Sequence, residues 1–190
     1  MKRFDLPVKF FRTDKDWEKW LAKNYHKRDG IWLKFYKKRS GVASLKYDGA
    51  LDVALCYGWI DGQLKSFDEQ AYLQRFTPRR KGSIWSKRNT EHIARLKRAG
   101  RMKPSGMIAV KLAKASGAWE RAYKSPSQMR MPEDFLALLN KNKTAKEFFA
   151  TLNKANTYAI AWRIQNVKPE NRARRIGEII KMLSKKQKLH

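Results

Sequence analysis

The sequence predicts an α+β fold, in which a short mixed or antiparallel sheet packs with helices and an all-helical C-terminal module follows. Three observations support this prediction. The first 80 residues alternate helical apolar spacing with short β-branched and aromatic runs. Two of these runs are separated by the three polar residues 68–70, which suit a hairpin turn. The second half of the chain shows helical spacing almost throughout, interrupted by segments that contain proline or serine.

Each element of the first half has a local signal. Thr13 followed by Asp14 and Asp16 is typical of a helix start, and Gly58 is a natural stop for a short apolar helix. In chain order, we expect a strand at 8–11, a helix from 13 to 26, a strand at 31–36, a helix at 48–57, and paired strands at 63–67 and 71–77.

The second half begins with Ser86 as a helix cap and Pro104 in the first turn of the next helix. We expect helices at 86–99, 104–117, 132–140, 142–152 and 157–167, and a last helix that opens at Pro169. Residues 123–132 are expected to form a surface linker. The predicted domains are therefore an α+β domain over residues 1–125 and a helical module over residues 126–190.

Charge is the unusual property of the composition. The 190 residues include 44 Lys and Arg but only 17 Asp and Glu, which gives a net charge of +27. An excess of this size favours polyanionic partners, with nucleic acid and anionic small molecules as the main candidates and an anionic membrane surface as another. A generally basic protein without such a partner is the plain alternative. The apolar fraction of 42% excludes an intrinsically disordered chain.

The compartment is predicted from three absences in the sequence. Lys9 and Arg12 interrupt the N-terminal segment before any apolar run, so we expect no signal peptide. No apolar stretch is long enough to insert into a membrane. The single cysteine, Cys56, excludes an intrachain disulfide and suits a reducing compartment, so we expect a cytoplasmic protein.

Familiar catalytic motifs are missing from the sequence. It contains no Walker-type loop, no dinucleotide-binding glycine motif and no zinc-protease HExxH motif. The three histidines are far apart, and Cys56 lies in an apolar helix where we expect a buried, inert thiol. We therefore predict no catalytic residue, no cofactor and no metal site.

Opposite charges are segregated between two neighbouring segments. Residues 47–76 hold five acidic and two basic side chains, whereas residues 78–103 hold ten basic and one acidic side chain. Asp48 and Asp52 are four residues apart and project from one side of their helix. One interpretation is a structural network of Arg–carboxylate pairs.

The other interpretation is an anion-binding cradle at the basic segment. A helix that begins at Ser86 offers free backbone N–H groups and the positive end of its dipole. The predicted cradle consists of Trp59, Asp61, Thr77, Arg79, Arg80, Ser83, Trp85, Ser86 and Asn89. Asp61 would orient the arginines, and the two tryptophans would either frame a phosphate, carboxylate or nucleobase or pack in the core.

Two further hypotheses remain open. In the first, the basic helices bind nucleic acid without sequence preference, through Lys87, Arg88, Arg95, Arg98, Arg172, Arg174 and Arg175. The last three arginines also suit a solvated helix face opposite the apolar stripe of Ile176 and Leu183. In the second hypothesis, the protein is an enzyme that acts on a phosphorylated or carboxylated metabolite, with Asp61 as general base.

Several motifs are similar to those of a known family. They resemble those of the YdeI/OmpD-associated family, also described as bacteriocin-protection. The motifs that carry this resemblance are residues 54–62, 75–80, 83–89 and 100–102 and, near the C-terminus, residues 148–149, Trp162 and residues 169–176. The resemblance covers residues 5–183, although Asn171 stands where a threonine is expected. It implies a protective role against bacteriocins or an association with an envelope protein partner, and it carries over no catalytic residues.

Overall fold

The computed structural model describes residues 4–27, 29–124 and 129–189, which form two compact units. The first unit contains the chain up to Ser83 and then Asn89–Glu120. The second unit contains Ile84–Arg88 and the chain from Arg121 onward. The predicted domain division at residue 125 stays a prediction, because compactness does not show that either part folds alone.

The first unit is built on a four-stranded mixed sheet, as predicted. Its strands are β1 (Val8–Phe10), β2 (Ile31–Tyr36), β3 (Trp59–Ser66) and β4 (Ala71–Pro78), in the spatial order β1-β2-β4-β3. β1 pairs parallel to β2, whereas β4 pairs antiparallel to both of its neighbours. β3 and β4 therefore form the predicted antiparallel pair.

β3 begins four residues earlier than the predicted start at residue 63. Trp59 follows Gly58 directly and pairs with Pro78, and Asp61 pairs with Phe76. Asp and Gly are poor strand formers by themselves, but pairing along β4 overrides that preference. The sequence prediction of this boundary was therefore wrong, and Asp61 lies in a strand.

The helices of the first unit are α1 (Asp14–Asn24), α2 (Tyr47–Cys56), α4 (Pro104–Ala115) and, from Asn89 onward, α3 (Lys87–Arg98), and a 3-10 turn covers Lys38–Ser40. Trp17 of α1 is fully buried, and its indole N–H donates to the backbone oxygen of Ala50 in α2 at 3.1 Å. The Trp17 ring also lies edge-on to Phe76 of β4 at 5.9 Å. α1 and α2 thus pack together, and α1 packs on one face of the sheet.

The second unit is helical, as predicted, with α5 (Glu133–Asn140), α6 (Lys143–Ala150), α7 (Lys154–Gln165), a 3-10 turn at Pro169–Asn171 and α8 (Arg172–Ser184). Its core is one apolar cluster, formed by Phe135, Leu139, Ala145, Ile160, Ile164, Ile176, Ile179 and Leu183. α7 begins three residues earlier than predicted, because the Asn153 side chain accepts the N–H of Asn156 and caps the helix.

The predicted linker at residues 123–132 includes structured backbone. Tyr123 donates its N–H to the backbone oxygen of Trp85 at 2.9 Å and accepts the N–H of Lys87 at 2.8 Å. These bonds place Tyr123 in a parallel bridge with Ser86. Residues 125–128 of the predicted linker lie outside the described residues.

Gly106 of α4 lies directly against the backbone at the end of α2. A Cβ atom at this position of α4 would overlap the backbone oxygen of Cys56, at the end of α2. The N–H of Lys103 donates to that same oxygen at 3.1 Å. The close approach of α4 to the end of α2 therefore requires glycine.

We expect Gly106→Ala to lower the free energy of unfolding by about 3 kcal/mol, because the added methyl meets backbone atoms that cannot rotate away. The matched control is Gly177→Ala in α8, where a Cβ would meet nothing within 4 Å. This control should raise stability by about 0.5–1 kcal/mol through helix propensity. Urea unfolding followed by circular dichroism measures both, and equal effects would contradict the packing described here.

Candidate anion-binding site

Asp52 joins the buried helix α2 to the basic helix α3. Asp52 as a whole residue is only 8% exposed, because α2 from Ala50 to Cys56 lies in the core. One guanidinium nitrogen of Arg95 donates to both Asp52 oxygens at 2.6 and 2.7 Å. His92 Nδ1 lies 2.8 Å from Oδ1 of Asp52, one helical turn before Arg95. A single carboxylate thus fixes one face of α3 in the first unit.

The electrostatics of this cluster favour the ionised carboxylate. Burial raises the pKa of Asp52, but the hydrogen bonds and charges of Arg95 and His92 outweigh burial, so the net pKa lies below its ordinary value. Arg101 adds a longer ion pair, with 3.9 Å between its guanidinium and Oδ2 of Asp52. The predicted Arg–carboxylate network between the acidic and basic segments therefore exists, and it centres on Asp52.

The basic segment retains several exposed cations that are not paired with any described carboxylate. Asp52 forms ion pairs with Arg95 and Arg101, and Glu18 forms an ion pair with Lys103 at 3.0 Å. Within the described ranges, no acidic side chain lies at ion-pair distance from four other exposed cations of this segment, which are Arg80, Lys81, Lys97 and Arg98. The surface of the segment therefore carries a net positive charge that faces solvent.

The turn after β4 presents part of the predicted cradle. Thr77 pairs with Ile60 near the end of the sheet. The N–H of Arg79 donates to the backbone oxygen of Gly58 at 2.9 Å, and the N–H of Ser83 donates to that of Arg80 at 3.0 Å. Gly82 has φ +81°, a left-handed conformation that glycine adopts without strain. Arg80 is exposed, whereas Arg79 and Ser83 are half-buried.

The remaining cradle residues have different environments. Trp59 is 1% exposed, and its indole N–H donates to the backbone oxygen of Tyr25 at 3.1 Å, so it packs in the core. Asp61 accepts a hydrogen bond from the Tyr47 hydroxyl at 2.7 Å. Asn89 is buried at 9% exposure in the first turn of α3.

Trp85 and Ser86 belong to the second unit, together with Lys87 and Arg88. Trp85 is buried, and Ser86 is half-buried in its bridge with Tyr123. The nine predicted cradle residues are therefore divided between the two units, and their convergence on one ligand stays a prediction.

The C-terminal arginines are engaged in ion pairs. Arg172 donates from Nε and Nη2 to the two oxygens of Asp134, at 2.7 and 2.9 Å, and this pairing holds the pKa of Asp134 below its ordinary value. Arg174 and Arg175 both donate to Glu178 on the next turn of α8. Most of their charge is offset locally, which favours the interpretation of a solvated helix face.

Sequence reasoning missed a group of cations on the sheet. The ammonium nitrogen of Lys34 lies 4.5 Å from the ring centres of both Tyr36 and Phe67. That of Lys65 lies 4.7 Å from the ring centre of the buried Trp32. Residues 32, 34 and 36 share one face of β2, so strand alternation was the available signal. Sequence reasoning also missed that His92 contacts Asp52. The only available signal was that His92 lies one helical turn before Arg95.

Three other features bear on function: the single thiol, possible metal ligands and helices that could span a membrane. Cys56 is buried, and burial raises its thiol pKa to about 11. Across residues 4–27, 29–124 and 129–189, no group of three His, Cys, Asp or Glu side chains is placed to hold a metal ion. In the same ranges, every helix is too short or too polar to cross a membrane.

The fold and the site define a basic α+β protein with a helical C-terminal unit. Residues 9–109 match the family described as Domain of unknown function (DUF8412). This match spans more than half of the sequence, so the chain belongs to that family. Residues 128–186 match the family OmdA, described as Bacteriocin-protection, YdeI or OmpD-Associated. No curated protein and no solved structure matches the chain.

The second match confirms the resemblance predicted from sequence and locates it in the C-terminal part of the chain. The motifs between residues 54 and 102 fall instead within the first match. The Asp52 cluster therefore belongs to the DUF8412 region, and Arg172, Arg174 and Arg175 belong to the OmdA region.

Replacing Asp52 with asparagine should lower the free energy of unfolding by about 1–3 kcal/mol at pH 7, because hydrogen bonds to a charged group are lost. The folded-state pKa is depressed, so the wild-type advantage is complete above about pH 5 and fades as the pH falls below about 4. Glu91→Gln, which removes an exposed carboxylate from the same helix α3, is the control and should change little. A stability difference that persists unchanged at pH 2.5 would contradict the assignment.

We expect the Cys56 thiol to resist alkylation in the folded protein. With a pKa of about 11, only about one thiol in a thousand is ionised at pH 8, and the side chain is buried. Labelling by iodoacetamide, followed by mass spectrometry, should be slow in buffer and complete within minutes in urea. Rapid labelling without urea would show that the thiol is accessible and ionised.

Proposed function

We propose that the chain is a binding protein for an anionic ligand, which it holds through the turn after β4 and the basic helix α3. The observation that carries this proposal is the exposed charge of Arg80, Lys81, Lys97 and Arg98, which no acidic side chain in the described part of the chain pairs with. Arg79, Ser83, Thr77 and Asn89 are the further contacts expected from sequence. Trp59 is left out because its ring lies in the core.

The chemistry of these groups favours a phosphate or carboxylate. A guanidinium offers parallel N–H donors that match the oxygens of either anion, and the Ser83 hydroxyl is a further donor. Asp52 supports the proposal indirectly, because it orients α3 by binding Arg95 and leaves the neighbouring cations on the outer surface. Exposed cations in water give modest affinity for one small anion but add up along a polyanion.

The role of this binding is taken from the family description. OmdA is described as bacteriocin-protection, and we extend that role to this chain as part of the proposal. The single cysteine supports the accompanying expectation of a reducing, cytoplasmic location. In that setting, nucleic acid is the most abundant polyanion, and it is the second candidate ligand beside a phosphorylated or carboxylated small molecule.

The double variant R80A/K81A tests the proposal. We expect its affinity for a fluorescein-labelled single-stranded oligonucleotide, measured by anisotropy, to fall about tenfold, since each cation contributes to phosphate binding. The slope of log K against log salt should become shallower by about 1.4, which corresponds to two lost contacts to a single strand. Inorganic phosphate and citrate are titrated in parallel, and binding of these alone would identify a small-anion site.

The matched control is K141A/K143A, which removes two exposed charges from the second unit. The proposal requires this control to bind within about twofold of wild type. An equal loss of affinity in the two double variants would show that only net charge matters and would overturn the proposed site. Absence of binding to every anion at low salt would overturn it as well.

A further inference from the structure

A groove of about 400 Å³ lies on the second unit, away from its apolar core. It is lined by Ile84, Trp162, Arg163, Asn166, Val167 and Arg175. All six residues belong to the second unit. The volume falls within the usual range of small-molecule pockets.

One wall of the groove is the aromatic ring of Trp162, which is not part of the apolar core cluster. Trp162 is half-buried and lies on the side of α7 away from Ile160 and Ile164, which face the core. Tyr123 packs edge-on against the indole, with 6.2 Å between ring centres and 76° between planes. Nucleobases of any sequence can stack on such a ring, because every base has a π-face. A fixed indole beside open space therefore suits a planar aromatic ligand.

The groove also carries positive charge from two guanidinium groups. Arg163 and Arg175 both line the groove, and none of the lining residues is acidic. Arg175 donates from Nη1 to Glu178, but Glu178 also accepts from Arg174, so one carboxylate serves two guanidiniums. Arg163 has no ion-pair partner among the described residues. The groove therefore keeps a surplus of positive charge.

The Asn166 amide is a third polar group in the lining of the groove, besides Arg163 and Arg175. Its NH₂ group donates to the backbone oxygen of Trp162 at 2.9 Å, which fixes the amide at the end of α7. The amide oxygen is then left as an acceptor. An acceptor beside an aromatic wall and two cations matches the N–H groups of a nucleobase joined to a phosphate.

We infer that this groove binds a nucleotide, with the base against Trp162 and the phosphate between Arg163 and Arg175. Two guanidiniums match the charge of a terminal phosphate, which is close to −2 at pH 7. The same chemistry is offered by a free mononucleotide and by the 5′-phosphorylated end of a strand. The site is separate from the proposed site in the first unit, so the two can succeed or fail independently.

Isothermal titration with the four 5′-mononucleotides is the direct experiment, with a 5′-phosphorylated pentanucleotide as the arm that tests a strand end. R163Q and R175Q should each weaken mononucleotide binding about tenfold or more. W162L should weaken binding of the nucleotide but leave binding of inorganic phosphate within about twofold. Circular dichroism and the melting temperature check that every variant is folded.

The control variant is K181Q, which removes an exposed charge from the same helix α8 outside the groove. It should bind within about twofold of wild type. Equal loss in K181Q and R175Q, or no nucleotide binding by the wild-type protein, would overturn the inference. Binding that is lost in R80A/K81A but retained in R163Q would place the nucleotide on the first unit and would also overturn it.

Discussion

The buried carboxylate of Asp52 is the interaction on which the basic surface depends. It lies on a helix that is otherwise apolar over most of its length, and it needs cationic or N–H partners to remain ionised there. Arg95, His92 and Arg101 meet that need. Since Arg95 and His92 are one turn apart, satisfying Asp52 fixes the rotation of α3 about its axis. Lys97 and Arg98 are thereby directed to solvent.

Charge is distributed differently in the two units. In the first unit, the buried Asp52 pairs with Arg95 and Arg101, and no described acidic side chain lies at ion-pair distance from the exposed Lys97 and Arg98. In the second unit, Asp134 and Glu178 pair with the arginines of α8 at the surface. Exposed pairs of this kind contribute little stability. They do reduce the local field, so Arg163, which has no ion-pair partner among the described residues, becomes the more distinctive cation of that unit.

The two units also differ in how they obtain a core. The core of the first unit contains buried tryptophans, whose indole N–H groups need hydrogen-bond acceptors inside the protein. The N–H groups of Trp17 and Trp59 donate to backbone oxygens. The second relies on aliphatic residues and phenylalanine, which need no polar partner. Trp162 is outside that cluster, and its half-buried ring packs edge-on against Tyr123 instead.

The predictions from sequence succeeded where the signal was local. The Thr13 cap, the Gly58 stop and the apolar stripe of α8 follow from helical geometry within a few residues, and the structure confirms them. The start of β3 was missed because Asp61 and Gly62 carry no strand preference of their own. A strand that depends on its partner can be recognised only when that partner is in place.

The sequence by itself determined the mixed α+β class, the helical C-terminal region and the segregation of opposite charges, because each depends on composition or on short-range periodicity. Only the tertiary structure decided which charges neutralise one another. Asp52 and Arg95 are 43 residues apart in the chain, and Asp134 and Arg172 are 38 apart. Spacing along a chain carries no information about such distant partners, because folding alone brings them within hydrogen-bond reach.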